Sequence, residues 1–298
     1  MSSAGPVSSG GPVSSNPGEK SGPAFELMGV INVTPDSFSD GGRYLDPQVA
    51  IGHGLELEVE GASILDVGGE STRPGAPPVP SEEELRRVLP VIEGLAERRV
   101  GARISIDTSK AEVAVAALGA GATFVNDVTA LRGDPEMAAV IADAQADCCL
   151  MHMLGDPRTM QDDPRYDDVV AEVKSFLEER MARAVEAGIA ERRIVLDPGI
   201  GFGKTVEHNL ELLRRLGELV ALGRPVVIGT SRKSFLARLT GRSDTDDRVS
   251  GTIATCVIAY ERGARIFRVH DVAPVHDALS VTAATVAPWT TRPTSSTR

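Results

Sequence analysis

Eight apolar runs of this chain end in polar residues that could do chemistry, and each run is followed by a loop and a helical stretch. The runs span residues 27–33, 62–67, 102–106, 123–125, 148–151, 193–196, 225–228 and 264–269. Their carboxyl ends carry Asn32, Asp66, Asp107, Asn126 with Asp127, His152, Asp197, Arg232 with Lys233, and Arg268 with His270. Carboxylates and amides therefore cluster after the middle runs, and cationic groups after the last two.

The first candidate group consists of Asp107, Asn126 and Asp197. Two carboxylates and one amide suit a planar heterocycle with several N–H donors, such as an aminopyrimidinone edge. They also favour a developing positive charge over a negative one. Helix capping is the alternative interpretation. Asp107 precedes Thr108 and Ser109, and under this alternative it would serve only as a helix cap.

The second candidate group is basic and contains Arg232, Lys233, Arg268 and His270. Barrels often bind phosphate in the loops after their seventh and eighth strands, so we expect an anion site here. Ion pairing with nearby acidic groups is the alternative. Ser234 begins a predicted short helix at 234–239, and a helix N-terminus binds carboxylate or phosphate well.

A glycine-rich segment occupies residues 198–205. It is not a P-loop, because that motif places four residues between its glycines whereas Gly199 and Gly203 are separated by three. We expect its glycines to let the backbone turn closely and to present Phe202. A buried core position is the alternative for Phe202.

The elements that position these residues follow from the repeat. Helical patterns occupy residues 46–60, 81–97, 109–118, 134–144, 167–187, 205–222, 246–261 and 274–286, and the second begins with a predicted capping box at Ser81 and Glu84. Eight strand–helix units that close on themselves predict a (β/α)8 TIM barrel, whose site lies at the carboxyl ends of the strands. A doubly wound open sheet is the rival fold, but the chain carries no dinucleotide fingerprint.

Two polar loops, at 34–42 and 71–75, follow the first two strands and would lie over the barrel mouth. Loops in that place are candidate lids, with ordinary surface loops as the alternative.

Composition narrows the class of protein. The chain has 298 residues, is 42% hydrophobic and carries a net charge of −11, which argues against binding nucleic acid or anionic membranes. We predict one domain at 24–288, a disordered tail at 1–23 and a short flexible tail at 289–298. No apolar run approaches the ~20 residues of a membrane helix.

The cysteines indicate the redox compartment. Cys148 and Cys149 are adjacent in a strand and face opposite ways, so we expect no disulfide between them. We therefore expect the protein to be cytoplasmic.

The motifs of this chain closely resemble those of dihydropteroate synthases, over about residues 25–285. The matching segments are 28–42, 66–75, 105–108, 126–128, 150–153, 197–204, 231–233 and 268–272. The resemblance implies a reaction of folate biosynthesis in which 6-hydroxymethyl-7,8-dihydropterin diphosphate and p-aminobenzoate give 7,8-dihydropteroate and pyrophosphate. It also implies a homodimer and a target for sulfonamides, which mimic p-aminobenzoate.

The resemblance implies roles for individual residues. The pterin would be bound by Asp107, Asn126, Met151, Asp197, Lys233 and Arg268. The diphosphate would be bound by Asn32, Arg268 and His270, with a Mg²⁺ ion held by Asn32. The p-aminobenzoate would be bound by Phe38, Thr72, Pro74, Phe202, Lys233 and Ser234. The catalytic residues would be Asp107, Lys233, Asp40 and Arg73.

Two other functions use the same pterin-binding set. A pterin-binding methyltransferase shares the barrel but needs neither the two lid motifs nor the basic end of the eighth strand. A non-catalytic pterin-binding paralogue is the third possibility, and the intact motifs argue against it.

Overall fold

The computed structural model describes residues 25–34, 46–72, 75–156 and 159–286. The predicted tails at 1–23 and 289–298, and most of the first lid loop, lie outside these ranges. Within them the predicted (β/α)8 barrel is confirmed. No helix in the described ranges has the length and apolar character needed to cross a bilayer.

Eight parallel strands alternate with helices along the described chain. The strands are β1 Glu26–Asn32, β2 Ile64–Gly68, β3 Arg103–Asp107, β4 Phe124–Asp127, β5 Asp147–Met151, β6 Ile194–Asp197, β7 Val227–Ile228 and β8 Ile266–Val269. The helices are α1 Pro47–Val59, α2 Ser81–Glu97, α3 Ala111–Gly119, α4 Met137–Ala144, α5 Val169–Glu186, α6 Val206–Arg214, α7 Gly217–Val220, α8 Ser234–Thr240, α9 Val249–Glu261 and α10 Val272–Val286.

The strands form a ring in chain order. β1 pairs in parallel with both β2 and β8, and each remaining strand pairs with its neighbour. Between β6 and β7 the ring is closed by a single bridge from Leu196 to Val226. All carboxyl ends therefore meet at one mouth, as the sequence predicts.

Side chains alternate between the inside and the outside of this ring. One buried cluster, drawn from seven of the strands, fills the interior with Met28, Ile64, Phe124, Cys149, Val195, Val227 and Ile266. A larger cluster, which includes Cys148, packs the strands against the helices. Because the side-chain period is two, Asp66, Asn126, Met151, Asp197 and Arg268 lie on the same inner face as the interior cluster, one step nearer the mouth.

Two local predictions are wrong. The single helix predicted at 205–222 is divided into α6 and α7, which are separated at Arg215 and Leu216. The predicted capping box also fails, because Pro80 is the N-cap of α2 and no side chain caps it. Glu84 is instead fully buried and pairs with Lys110.

Candidate active site

A cavity of about 530 Å³ opens at the carboxyl ends of the strands. Every predicted site residue that the structure describes lines it, namely Asn32, Thr72, Asp107, Asn126, Met151, Asp197, Phe202, Lys233, Ser234, Arg268 and His270. Phe38, Asp40, Arg73 and Pro74 lie outside the described residues. The fold thus brings together side chains that are up to 238 positions apart in the sequence, from Asn32 to His270.

Asp66 organises the floor of this cavity. Its carboxylate accepts hydrogen bonds from Ser105 Oγ at 2.6 Å, from Asn126 Nδ2 at 3.0 Å and from Arg268 Nε at 2.6 Å. Asp66 is fully buried, and such a charge is stable inside a protein only when it is paired and hydrogen-bonded. It ends a predicted strand, but sequence reasoning gave it no role in the site.

Arg268 joins this floor to Asp107. Its Nη2 donates to Asp107 Oδ2 at 2.7 Å. Burial raises the pKa of Asp107 to about 7, and the guanidinium of Arg268 opposes that rise. Near neutral pH the Asp107 carboxyl can therefore exist as an acceptor or as a donor of a hydrogen bond.

Asp197 and Lys233 form the opposite wall. The Oδ1 of Asp197 accepts from Gly199 N at 2.6 Å, and burial raises the pKa of Asp197 while Lys233 opposes that rise. Burial lowers the pKa of Lys233 to about 8. Lys233 Nζ donates to the Ile200 carbonyl and lies 4.6 Å from the centre of the Phe202 ring.

The glycine-rich loop turns as closely as predicted. Gly199 has a φ of +66°, and a Cβ there would lie 1.9 Å from the carbonyl oxygen of His152. Only glycine fits this approach of two backbones. Phe202 is half-buried, packs against a cluster that contains Met151 and lines the cavity, so it is not a core residue.

The basic side of the mouth divides into two parts. His270 accepts from or donates to Ser231, with 3.0 Å between Nδ1 and Oγ, and both residues line the cavity. Arg232 pairs with Asp271 at 2.7 Å and with Asp246 at 3.0 Å. Ion pairing, the alternative for the basic group, therefore describes both arginines, since Arg268 pairs with Asp66 and Asp107. All four basic residues nevertheless line the cavity.

The donors that could hold a metal are few. Among the described residues, no three His, Cys, Asp or Glu side chains are grouped so as to bind a metal ion. Asn32 lines the cavity and offers one amide oxygen. Mg²⁺ often takes only one or two protein oxygens and completes its shell with water and substrate phosphates, so this donor set fits a Mg²⁺ held largely by a diphosphate.

Sequence reasoning assigned no function to a second buried cation, Lys204. Its side chain lines the cavity and is only 3% exposed. Two sequence signals were present: Lys204 follows the last glycine of the glycine-rich segment, and it ends the matching segment 197–204.

One cavity of the TIM barrel is thus lined by the carboxyl and amide groups of Asp107, Asp197 and Asn126 and by the basic side chains of Lys233, Arg268 and His270. This combination suits a planar heterocycle that carries an anionic group. A sequence profile described as pterin-binding enzymes matches residues 28–270. The fold, the site and this match define the class, and the chain belongs to the pterin-binding enzymes.

Similar proteins give the narrower family. The dihydropteroate synthase of Escherichia coli (strain K12) is 47% identical over 261 residues, which are 88% of this chain and 92% of that one. A Xanthomonas albilineans dihydropteroate synthase solved with 4-aminobenzoic acid is 51% identical, with a TM-score of 0.82 over 88% of this chain and 94% of that chain. The same organism's enzyme in complex with 7,8-dihydropteroate is 48% identical, with a TM-score of 0.79 over the same shares. The chain is thus a member of the dihydropteroate synthases.

Proposed function

We propose that this chain condenses 6-hydroxymethyl-7,8-dihydropterin diphosphate with p-aminobenzoate to form 7,8-dihydropteroate and pyrophosphate in folate biosynthesis. The observation that carries the proposal is a single cavity with Asp107, Asn126 and Asp197 among its lining residues and with Lys233, Arg268 and His270 beside them. The first set suits the pterin and the second suits its diphosphate. Relatives that carry this activity support the same reaction.

The pterin lies among Asp107, Asn126 and Asp197. Its N–H donors face the carboxylates of Asp107 and Asp197, and Asn126 supplies an amide whose Nδ2 is already committed to Asp66. That bond turns the amide oxygen of Asn126 into the acceptor for the ligand. Met151 provides an apolar, adaptable surface beside the ring.

The diphosphate lies toward Asn32, Arg268 and His270. Arg268 donates hydrogen bonds from Nε to Asp66 and from Nη2 to Asp107. These bonds fix its positive charge between the pterin and the diphosphate. Asn32 and the diphosphate would hold Mg²⁺, which offsets negative charge on the leaving pyrophosphate when it is bound.

The bond changes follow from these charges. The C–O bond to the diphosphate breaks first, and the electron pair leaves with the pyrophosphate. The methylene carbon is then a cation conjugated with the pterin, and the carboxylates of Asp107 and Asp197 stabilise it. The amine of p-aminobenzoate forms the new C–N bond and loses one proton.

The arylamine site uses Phe202, Ser234 and the stem of Lys233, together with Thr72 from the second loop. The amine is largely neutral at pH 7, so it needs positioning more than a base. Phe38, Asp40, Arg73 and Pro74 belong to the proposed lids, which exclude water and so protect the cation from hydrolysis. Sulfonamides should compete for this same pocket.

We further propose a cytoplasmic homodimer. The outer helices near the C-terminal units supply its interface, and α9 and α10 expose Ile258 and Val281 there, the latter at 68%. All three cysteines are buried free thiols, which suits a reducing compartment. Sedimentation equilibrium tests the dimer, and a species of single-chain mass at micromolar concentration would contradict it.

The reaction is tested by measuring pyrophosphate release with the pterin diphosphate and Mg²⁺, with and without p-aminobenzoate. We expect release that depends on p-aminobenzoate and matches the dihydropteroate formed. Tight pterin binding without any product would overturn the proposal and favour the non-catalytic paralogue. Methyl transfer from methyltetrahydrofolate, without pyrophosphate release, would favour the methyltransferase.

A further inference from the structure

The loop between β6 and α6 is held by side chains along its whole length. Gly201 N donates to Asn209 Oδ1 at 2.7 Å, and Tyr166 OH donates to Gly203 O at 2.8 Å. Gln161 donates to the carbonyl of Gly201. Together with the bonds from Asp197 and Lys233 described above, these contacts fix a segment that would otherwise be mobile because of its three glycines.

Lys204 makes the most deeply buried of these contacts. Its Nζ lies 3.0 Å from the carbonyl oxygen of Phe202, 3.4 Å from that of His152 and 2.9 Å from His152 Nδ1. Burial lowers the pKa of Lys204 to about 7, and the nearby carboxylate of Asp197 opposes that fall. In the ammonium form each of its three protons has an acceptor here. Burial lowers the pKa of His152 to about 3, so its ring is neutral and can accept at Nδ1.

We propose that Lys204 is a positioning residue for the arylamine pocket, because it fixes the turn that directs the Phe202 ring into the cavity. This inference rests on the function proposed above. The ammonium ties the Phe202 carbonyl to the end of β5, through His152, and so couples the loop after β6 to the loop after β5. The ring on the other side of the same residue then faces Lys233 and the cavity.

A purely structural role explains this lysine poorly. Packing alone is served equally well by an apolar side chain, and a buried charge must be compensated to be tolerated. Lys204 is compensated by Asp197 and by three directed acceptors. Directed donors specify one loop conformation, whereas an apolar group of the same size would permit several.

The test is Lys204→Met, which keeps most of the side-chain volume and removes the donors. Lys174→Met is the matched control, since Lys174 is 38% exposed on α5. We expect the KM for p-aminobenzoate to rise about tenfold or more in Lys204→Met, while the Kd of the pterin diphosphate, measured by calorimetry without p-aminobenzoate, changes by less than about threefold. The control should change neither constant.

The contrary results are distinct. A folded Lys204→Met protein with an unchanged KM for p-aminobenzoate, or with both ligands weakened equally, would overturn the positioning role. If Lys204→Met does not fold, Lys204→Gln is measured in the same way. Its amide nitrogen carries two protons and cannot serve all three acceptors, so the same rise in the KM for p-aminobenzoate is expected and an unchanged KM would overturn the proposal. Failure of both variants to fold would make Lys204 a stability residue and defeat the proposal. If the unaltered protein itself makes no dihydropteroate, the proposed function fails instead.

Discussion

Arg268 on β8 reaches past β1 and donates from Nε to the fully buried carboxylate of Asp66 on β2, at 2.6 Å. Asp66 lies inside the barrel and acts on the cavity through Arg268 and Asn126, which both line it. The position of the guanidinium is therefore set by a carboxylate two strands away, before any ligand binds. Such preorganised charges need no rearrangement during the reaction.

Asp66→Asn should leave the barrel folded and lower kcat/KM strongly. The asparagine keeps the shape of the side chain but no longer fixes the charge of Arg268, and a misplacement of about 1 Å can cost about 10²-fold in rate. Dihydropteroate formation and thermal melting measure the two effects. The control is Asp143→Asn, at an exposed position on α4, and equal rates in the two folded variants would contradict the role of Asp66.

The pH dependence of kcat/KM should be bell-shaped. Burial raises the pKa of Asp107 to about 7, so its carboxylate is lost as the pH falls below 7. Burial lowers the pKa of Lys233 to about 8, so its charge is lost as the pH rises above 8. Initial rates at subsaturating pterin diphosphate should peak between these values. A flat profile from pH 6 to 9 would contradict the assignment, and the basic limb should vanish in Lys233→Met.

Gly199→Ala should destabilise the protein by more than about 2 kcal/mol, because a positive φ and a backbone contact both oppose the methyl group. The new Cβ would lie 1.9 Å from the His152 carbonyl oxygen. Gly217→Ala is the control, since a Cβ there meets nothing within 4 Å. Denaturant unfolding compares the two, and equal midpoints would show that the loop adjusts freely.

The amino ends of the strands carry a separate network that should affect stability alone. Arg103 contacts Glu26 at 3.0 Å and Asp147 at 2.8 Å, and Arg193 also pairs with Asp147 at 3.0 Å. Arg103→Met should cost about 1–3 kcal/mol of unfolding free energy, since it leaves two half-buried carboxylates short of a partner. The kcat should not change, because the site lies at the other end of the barrel. A fall in kcat at unchanged stability would contradict this separation.

The strand ends were predictable because two rules act together. A parallel barrel gathers all carboxyl ends at one mouth, and the side-chain period of two decides which residues face inward. Asp107 and Asn126 are register partners on β3 and β4, and so are Met151 and Asp197 on β5 and β6. Neighbours in register with inward side chains necessarily meet in one cavity.

The partners of these residues were not predictable from local sequence. Asp66 and Arg268 are 202 positions apart, and their contact depends on the register of three strands. The prediction of a capping box was wrong for a similar reason, since Glu84 forms an ion pair with Lys110, 26 positions away, instead of capping α2. In the sequence, Lys204 follows Gly203 in a segment that only partly resembles a P-loop. Its contact with His152 follows only from the fold.

The most direct test of the active-site assignment is turnover by Asp107→Ala. In the proposed reaction the carboxylate of Asp107 faces the pterin and stabilises the cation, so its removal should lower kcat by about a hundredfold or more. Far-ultraviolet circular dichroism and melting should match those of Asp143→Ala, the surface control. A folded Asp107→Ala protein with near-parental turnover would contradict the central claim that this carboxylate does the chemistry.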